Sequence, residues 1–92
     1  MGVGAPASVR RAVPAGQSAS VFTVPAFSTI SIEPGAGGTM TCQVRVHPDS
    51  PLIDLDPATP SFSANATRAI MGPVAEVRFT AVTAAGSGSV AY

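Results

Sequence analysis

The chain has no lysine, no tryptophan, one cysteine, one histidine and one tyrosine among its 92 residues. One cysteine, Cys42, excludes a disulfide framework. Charged residues make up 11% of the chain, against ~25% in an ordinary soluble domain. The five arginines (Arg10, Arg11, Arg45, Arg68, Arg78) balance five acids (Glu33, Asp49, Asp54, Asp56, Glu76). Nucleic-acid binding draws on clustered Lys and Arg, so nucleic acid is not an expected partner. No apolar run approaches the ~20 residues of a membrane-spanning helix, and no membrane partner is expected. "MGVGAPASVRRAVPAG" has Arg10 and Arg11 but no apolar stretch of signal-peptide length behind them. Helix formers are scarce too: Leu, Gln and Glu occur twice each.

What is present favours strands. Eleven valines and eight threonines suit a pleated surface, because β-branching restricts χ1 in a way that strands tolerate. Nine prolines and nine glycines cut the chain into short segments. In "TMTCQVRV" (39–46), Met40, Cys42, Val44 and Val46 fall on one face and Thr39, Thr41, Gln43 and Arg45 on the other. In "AEVRFTAV" (75–82), Ala75, Val77, Phe79 and Ala81 alternate with Glu76, Arg78, Thr80 and Val82. "ASVFTV" (19–24), "STISIE" (28–33), "TRAIM" (67–71) and "SGSVAY" (87–92) add further strands. "TAAGSG" (83–88) reads as a turn closing the last two strands into a hairpin, with Gly86 and Gly88 at positive φ. The expected fold is all-β: one small antiparallel β-sandwich or barrel of about six to eight short strands over residues 13–92, with a flexible arm at 1–12.

"HPDSPLIDLDPATPSFSANA" (47–66) holds four prolines and reads as a long ordered loop with a short strand near Leu52–Leu55. His47, Asp49, Asp54 and Asp56 concentrate its polar groups. Asp54 and Asp56, two apart on a strand, face the same way and could share a Ca²⁺ with loop carbonyls. The spacing fits no EF-hand, and such acids commonly cap turns, so no metal is expected. The lone His47 and ten serines do not make a triad without a nucleophile elbow, and "GSGS" (86–89) is too loose to hold a nucleophile. Cys42 shares the apolar face of its strand and reads as a buried structural thiol. "PGAGG" (34–38) lacks a Gly-Lys-Ser/Thr ending and leads into a strand, so it is a turn and not a phosphate loop. No catalytic residue and no cofactor is expected. Carbohydrate binding is the rival: the sequence has little to stack on a sugar, with the four phenylalanines assigned to the core.

A small domain with so little charge is expected to hide its surface in an assembly. At this point "VPAGQSASVFTVPAFSTISIE" and "EVRFTAVTAAGSGSVAY" resemble small accessory structural proteins of tailed bacteriophage virions: decoration (cement) proteins, head fibres, and tail or baseplate modules. The resemblance implies a non-enzymatic protein of the virion, in homodimers or homotrimers, bound to the major capsid protein or to tail proteins. The residues expected to make contact are Arg10 and Arg11 on the arm, Leu52, Ile53, Leu55 and Phe62 in the proline-rich loop, and Tyr92 at the end of the last strand. The bland reading of that loop is that its apolar residues cover the protein's own core.

Overall fold

Alternation of large apolar and polar residues makes a strand only if one face finds a partner sheet, and here it does. A computed structural model of the chain describes residues 8–92. The strands are β1 (Ser8–Val13), β2 (Ser18–Val24), β3 (Thr29–Glu33), β4 (Met40–Arg45), β5 (Ile53–Asp54), β6 (Ala66–Ala69), β7 (Val74–Ala81) and β8 (Gly86–Ala91). They form two four-stranded sheets, β1-β8-β3-β6 and β2-β7-β4-β5, with every pairing antiparallel. This strand order is that of a jelly roll. Among the described residues there is no helix.

The inward faces supply the core. Met40, Cys42 and Val44 from β4 and Val77, Phe79 and Ala81 from β7 meet Ile30, Ile32 and Val90 of the opposite sheet, all buried. Val46, assigned to the same face as Met40, lies past the end of β4 and is exposed.

The last two strands do not form a hairpin. β7 pairs with β2 and β4, while β8 pairs with β1 and β3 in the other sheet, so residues 82–85 arch across the sandwich. The reason is packing across the sheets. A Cβ on Gly88 would lie 2.3 Å from Phe79 Cδ1, so the missing side chain is what lets the ring fill the core. Gly86 likewise leaves room for the Met40 sulfur. Neither has positive φ; the glycines that do are Gly16 and Gly37, in the β1–β2 and β3–β4 turns.

The expected arm is partly strand. Residues 1–7 lie outside the described residues, but from Ser8 the chain pairs with β8, and Val13 is buried. The anchor is Val9 and Val13, which take inward positions opposite Val90 and Gly86.

The long loop lies on its own core. Phe62 bridges to Met40 with hydrogen bonds of 2.9 and 2.7 Å, the Leu55 amide donates to the Cys42 carbonyl at 3.0 Å, and β5 adds two residues to the edge of β4. Arg68 stacks over the Phe62 ring at 5.3 Å and donates from Nε to Asp56 at 2.9 Å, tying the loop to β6.

Candidate docking surface

The strand directions bring four features to one end of the sandwich: the β2–β3 turn, the β4–β5 loop, the β6–β7 turn and the last residue, Tyr92. Seven large apolar side chains are exposed among the described residues, and five of them sit at this end: Phe22, Phe27, Val46, Met71 and Tyr92. Phe22 is 67% exposed, Phe27 78% and Met71 79%. Two phenylalanines expected in the core are therefore on the surface, and only Phe62 and Phe79 are buried. At the same end lies a groove of about 550 Å³ lined by Thr23, Val24, Pro25, Val46, Pro48, Pro73, Val74, Ala75 and Tyr92, so that Val46 and Tyr92 are the two of the five that border it. No lining side chain is charged.

The turn that displays Phe27 is held firmly. Ser28 is fully buried and its hydroxyl donates to the Pro25 carbonyl at 2.7 Å, while its own carbonyl accepts from the Ile70 amide at 3.0 Å. Thr23 and Phe27 have φ of +57° and +62°, a region that side chains other than glycine seldom occupy. Such residues cost about 1–3 kcal/mol each and persist only where their surroundings fix them.

Beside the groove, on the outer face of the β2 sheet, lies a smaller cleft of about 240 Å³ formed by Phe22, Thr23, Arg45, Pro48, Ala75 and Glu76. Glu76 takes an outward position yet is only 4% exposed. Ser20 Oγ donates to it at 2.7 Å, Arg78 Nε at 3.0 Å, and Arg45 Nε lies 3.7 Å away. Burial alone would raise its pKa, but the Ser20 hydroxyl and the two guanidinium groups outweigh burial and hold it below the ordinary carboxylate value. Arg45 Nε is itself buried without a hydrogen-bond acceptor in range, while Arg45 Nη1 donates to the Pro48 carbonyl at 3.2 Å and pins the loop at the rim of the groove.

The residues singled out from sequence are scattered. Tyr92 lines the groove. Arg10 lies across the outer face of the other sheet, ion-paired with Glu33 at 3.2 Å and donating to Ser87 at 2.9 Å. Arg11 is exposed on edge strand β1. Ile53 is exposed on β5, Leu52 and Leu55 are half-buried, and Leu55 packs on the core. Phe62 is 3% exposed and belongs to its own core, so it offers nothing to a partner. His47 and Asp49 sit exposed in the β4–β5 loop, where the Asp49 amide donates to His47 Nδ1 at 3.2 Å. Asp56 is engaged by Arg68, which holds its pKa below the ordinary value, and no cluster of three metal-ligating side chains occurs among the described residues.

Sequence reasoning missed Phe22, Phe27, Val46 and Met71. For Phe22 a signal existed: it shares the parity of Ser18 and Ser20, the outward positions of β2. Phe27 and Met71 stand in turns, where no periodicity applies.

No family profile matches the chain, and no curated protein matches it in sequence. Two solved structures superpose over most of it. PirA does so at a TM-score of 0.47 with 12% identity, over 92% of each chain. A protein of Bacillus endospore appendages, described as a novel family of disulfide-linked pili, does so at 0.49 with 12% identity, over 96% of this chain and 86% of the other. Likenesses at this level carry no argument about what the present chain does.

Proposed function

We propose that the chain is a non-enzymatic structural subunit that docks through its apolar end, and that the assembly is a tailed-bacteriophage virion in which it serves as a capsid decoration or head-fibre protein. The observation that carries the docking reading is the concentration of exposed Phe22, Phe27, Val46, Met71 and Tyr92 at the end that also holds a groove without charged side chains. With the aromatics offering ~150–250 Å² each, their exposed parts and those of Val46 and Met71 sum to roughly 600 Å². That is the upper end of what a lone domain leaves open, and close to one side of a standard interface. The phage setting is supported by the resemblance of the strand-rich, lysine-free sequence to virion accessory proteins. Jelly rolls build viral shells and lectins alike, so the architecture does not choose between settings.

The test is occupancy. The chain should be found in stoichiometric amounts in purified virions of the phage that encodes it. Phe27→Asp and Met71→Asp, at exposed sites, should abolish incorporation while leaving the melting temperature within a few degrees of wild type. Absence of the chain from virions refutes the phage setting. Full incorporation of both variants refutes docking through this end.

The cleft beside Phe22 supports a second reading, a carbohydrate-binding module. It sets an exposed ring next to Arg45 and Glu76, a stacking surface with hydrogen-bonding groups at its edge. Glycan-array binding by the isolated protein that is lost in Phe22→Ala would favour it over docking.

A further inference from the structure

We infer that the outer edge of β2 is a pairing edge for a second copy of this chain, so that two molecules join their β2 sheets into one continuous sheet of eight strands. This goes beyond the docking reading and does not rest on it.

The inference comes from comparing the four sheet edges. An exposed strand edge is a template for further pairing, and proteins blunt it with charge, proline, shortness or cover. Strand β1 carries Arg10 and Arg11, and Arg11 takes the inward position in register with Gly88. Strand β6 is four residues long, and Arg68 takes its inward position in register with Ile30. Strand β5 is two residues long, and the chain beyond it is hydrogen-bonded along β4. Each of these three edges has a guard. Strand β2, "SASVFTV", is seven residues long and holds no charge, proline or glycine. Among the described residues no strand pairs with its outer side.

The strand is also matched to itself. The turn at residues 14–17 bounds it on one side, and the positive φ of Thr23 ends its regular part on the other, leaving residues 18–22 to pair. An antiparallel two-fold axis through that segment passes at Ser20. It places inward Ala19 opposite the partner's inward Val21. On the outer face it sets the large Phe22 ring opposite the partner's small Ser18, twice by symmetry. Phe22, two-thirds exposed in the single chain, gains cover. Because the β2 strands run in opposite directions, the two apolar ends point to opposite poles. Such a pair can bridge two neighbouring partners.

Ser20 decides the register. Across the two-fold axis it meets its own copy at a Cα separation of about 4.5–5.5 Å, within disulfide range. Ser20→Cys should therefore cross-link on oxidation, whereas Ser18→Cys, opposite Phe22, should not. Cys42 is buried and does not compete. The wild-type chain should sediment as a dimer at about 100 μM, where a pair of micromolar affinity is associated. Ala19→Arg, which installs the guard that β1 and β6 already have, should sediment as a monomer while keeping its β-sheet circular dichroism. A monomeric wild type overturns the inference. So does Ser20→Cys cross-linking no faster than Ser18→Cys, or an Ala19→Arg variant that stays dimeric, since dimers would then form through another surface. If Ser20→Cys does not fold, having lost its bond to Glu76, the Ala19→Arg sedimentation decides. Virion incorporation of the apolar-end variants is a separate readout, so failure here leaves the docking reading standing.

Discussion

Gly88→Ala adds one methyl group, and the structure says where it goes. The new Cβ would lie 2.3–2.5 Å from three atoms of the Phe79 ring, well inside van der Waals contact. Phe79 is fully buried between the sheets, so the ring has no open space to turn into. The backbone is not the obstacle, because Gly88 is not at positive φ. Overpacking a tight core usually costs about 1–3 kcal/mol, and a contact this short belongs at the top of that range, about 3 kcal/mol. Against a total stability of ~5–15 kcal/mol that is a large fraction. It corresponds to a fall in melting temperature of roughly 12–24 °C for a domain of this size.

The mechanism is separable from a general loss at glycine. Gly16 has φ of +74° and open space around its would-be Cβ, so Gly16→Ala should cost only the backbone strain, about 1–2 kcal/mol. Phe79→Leu alone should cost about 1–2 kcal/mol through the cavity it leaves. In the double variant the methyl finds that cavity, so Gly88→Ala with Phe79→Leu should be less destabilising than the sum by at least about 1 kcal/mol. Urea unfolding of the wild type and these four variants measures all of this. Were β7 and β8 a hairpin, the two residues would stand beside one another on one sheet and the methyl would meet no ring face. Additive losses, or a Gly88→Ala cost below about 0.5 kcal/mol, would therefore refute the crossing of 82–85 between sheets.

Glu76 and Asp56 both have pKa values below the ordinary 4.5 and 3.8, so the folded state binds their protons less readily than the unfolded chain does. Their contribution is complete above those values and lost as pH falls further. Urea midpoints should stay level from pH 7 towards 5 and drop below about 4.5, and Glu76→Gln should lower the plateau by about 2 kcal/mol while flattening the acid slope. A midpoint that rises on acidification contradicts the assignment. Burial pushes the Cys42 thiol up to about 12, so a thiol reagent at pH 8 should label the native protein slower than the urea-unfolded chain by a factor on the order of 10³ or more. Comparable rates would place Cys42 outside the core. Phe27→Gly removes a strained residue that buries little, so stability should hold or rise by up to about 1 kcal/mol, read from the same urea curves, while docking weakens. A loss above about 1 kcal/mol would mean that the ring stabilises its own fold.

Much of the sandwich was legible because its best strands are half-buried. Met40, Cys42 and Val44, and Val77, Phe79 and Ala81, each declare one face by period-2 spacing, and that face is the core. The connection after β7 was not legible, because a run of Ala, Gly and Ser reads the same whether the flanking strands pair or cross. What decides is the fit of the Phe79 ring over Gly88, a contact between sheets that no local pattern encodes. The burial of Glu76 was not legible for a similar reason. Its parity is outward, which ordinarily means solvent, but the register that sets Arg45 beside it and Ser20 one row away on β2 covers it. Of the docking surface only Tyr92 was named in advance. Phe22 could have been read from its parity with Ser18 and Ser20, but Phe27, Val46 and Met71 depend on three separate connections arriving at one end, which is topology and not sequence.

That end also shows how the chain spends its conformational freedom. The described residues contain four positions at positive φ. At the end formed by the β1–β2 and β3–β4 turns, both are glycine, Gly16 and Gly37, which take that backbone at little cost. At the apolar end the two are Thr23 and Phe27, which pay for it. Glycine would serve the fold equally well there, since the Phe27 ring is mostly in water. A costly conformation retained at a residue that contributes little to its own core points to a use for the side chain outside the fold. Phe27 stands at the same end as a groove lined by Val46 and Tyr92, so the use this points to is the docking proposed for that end.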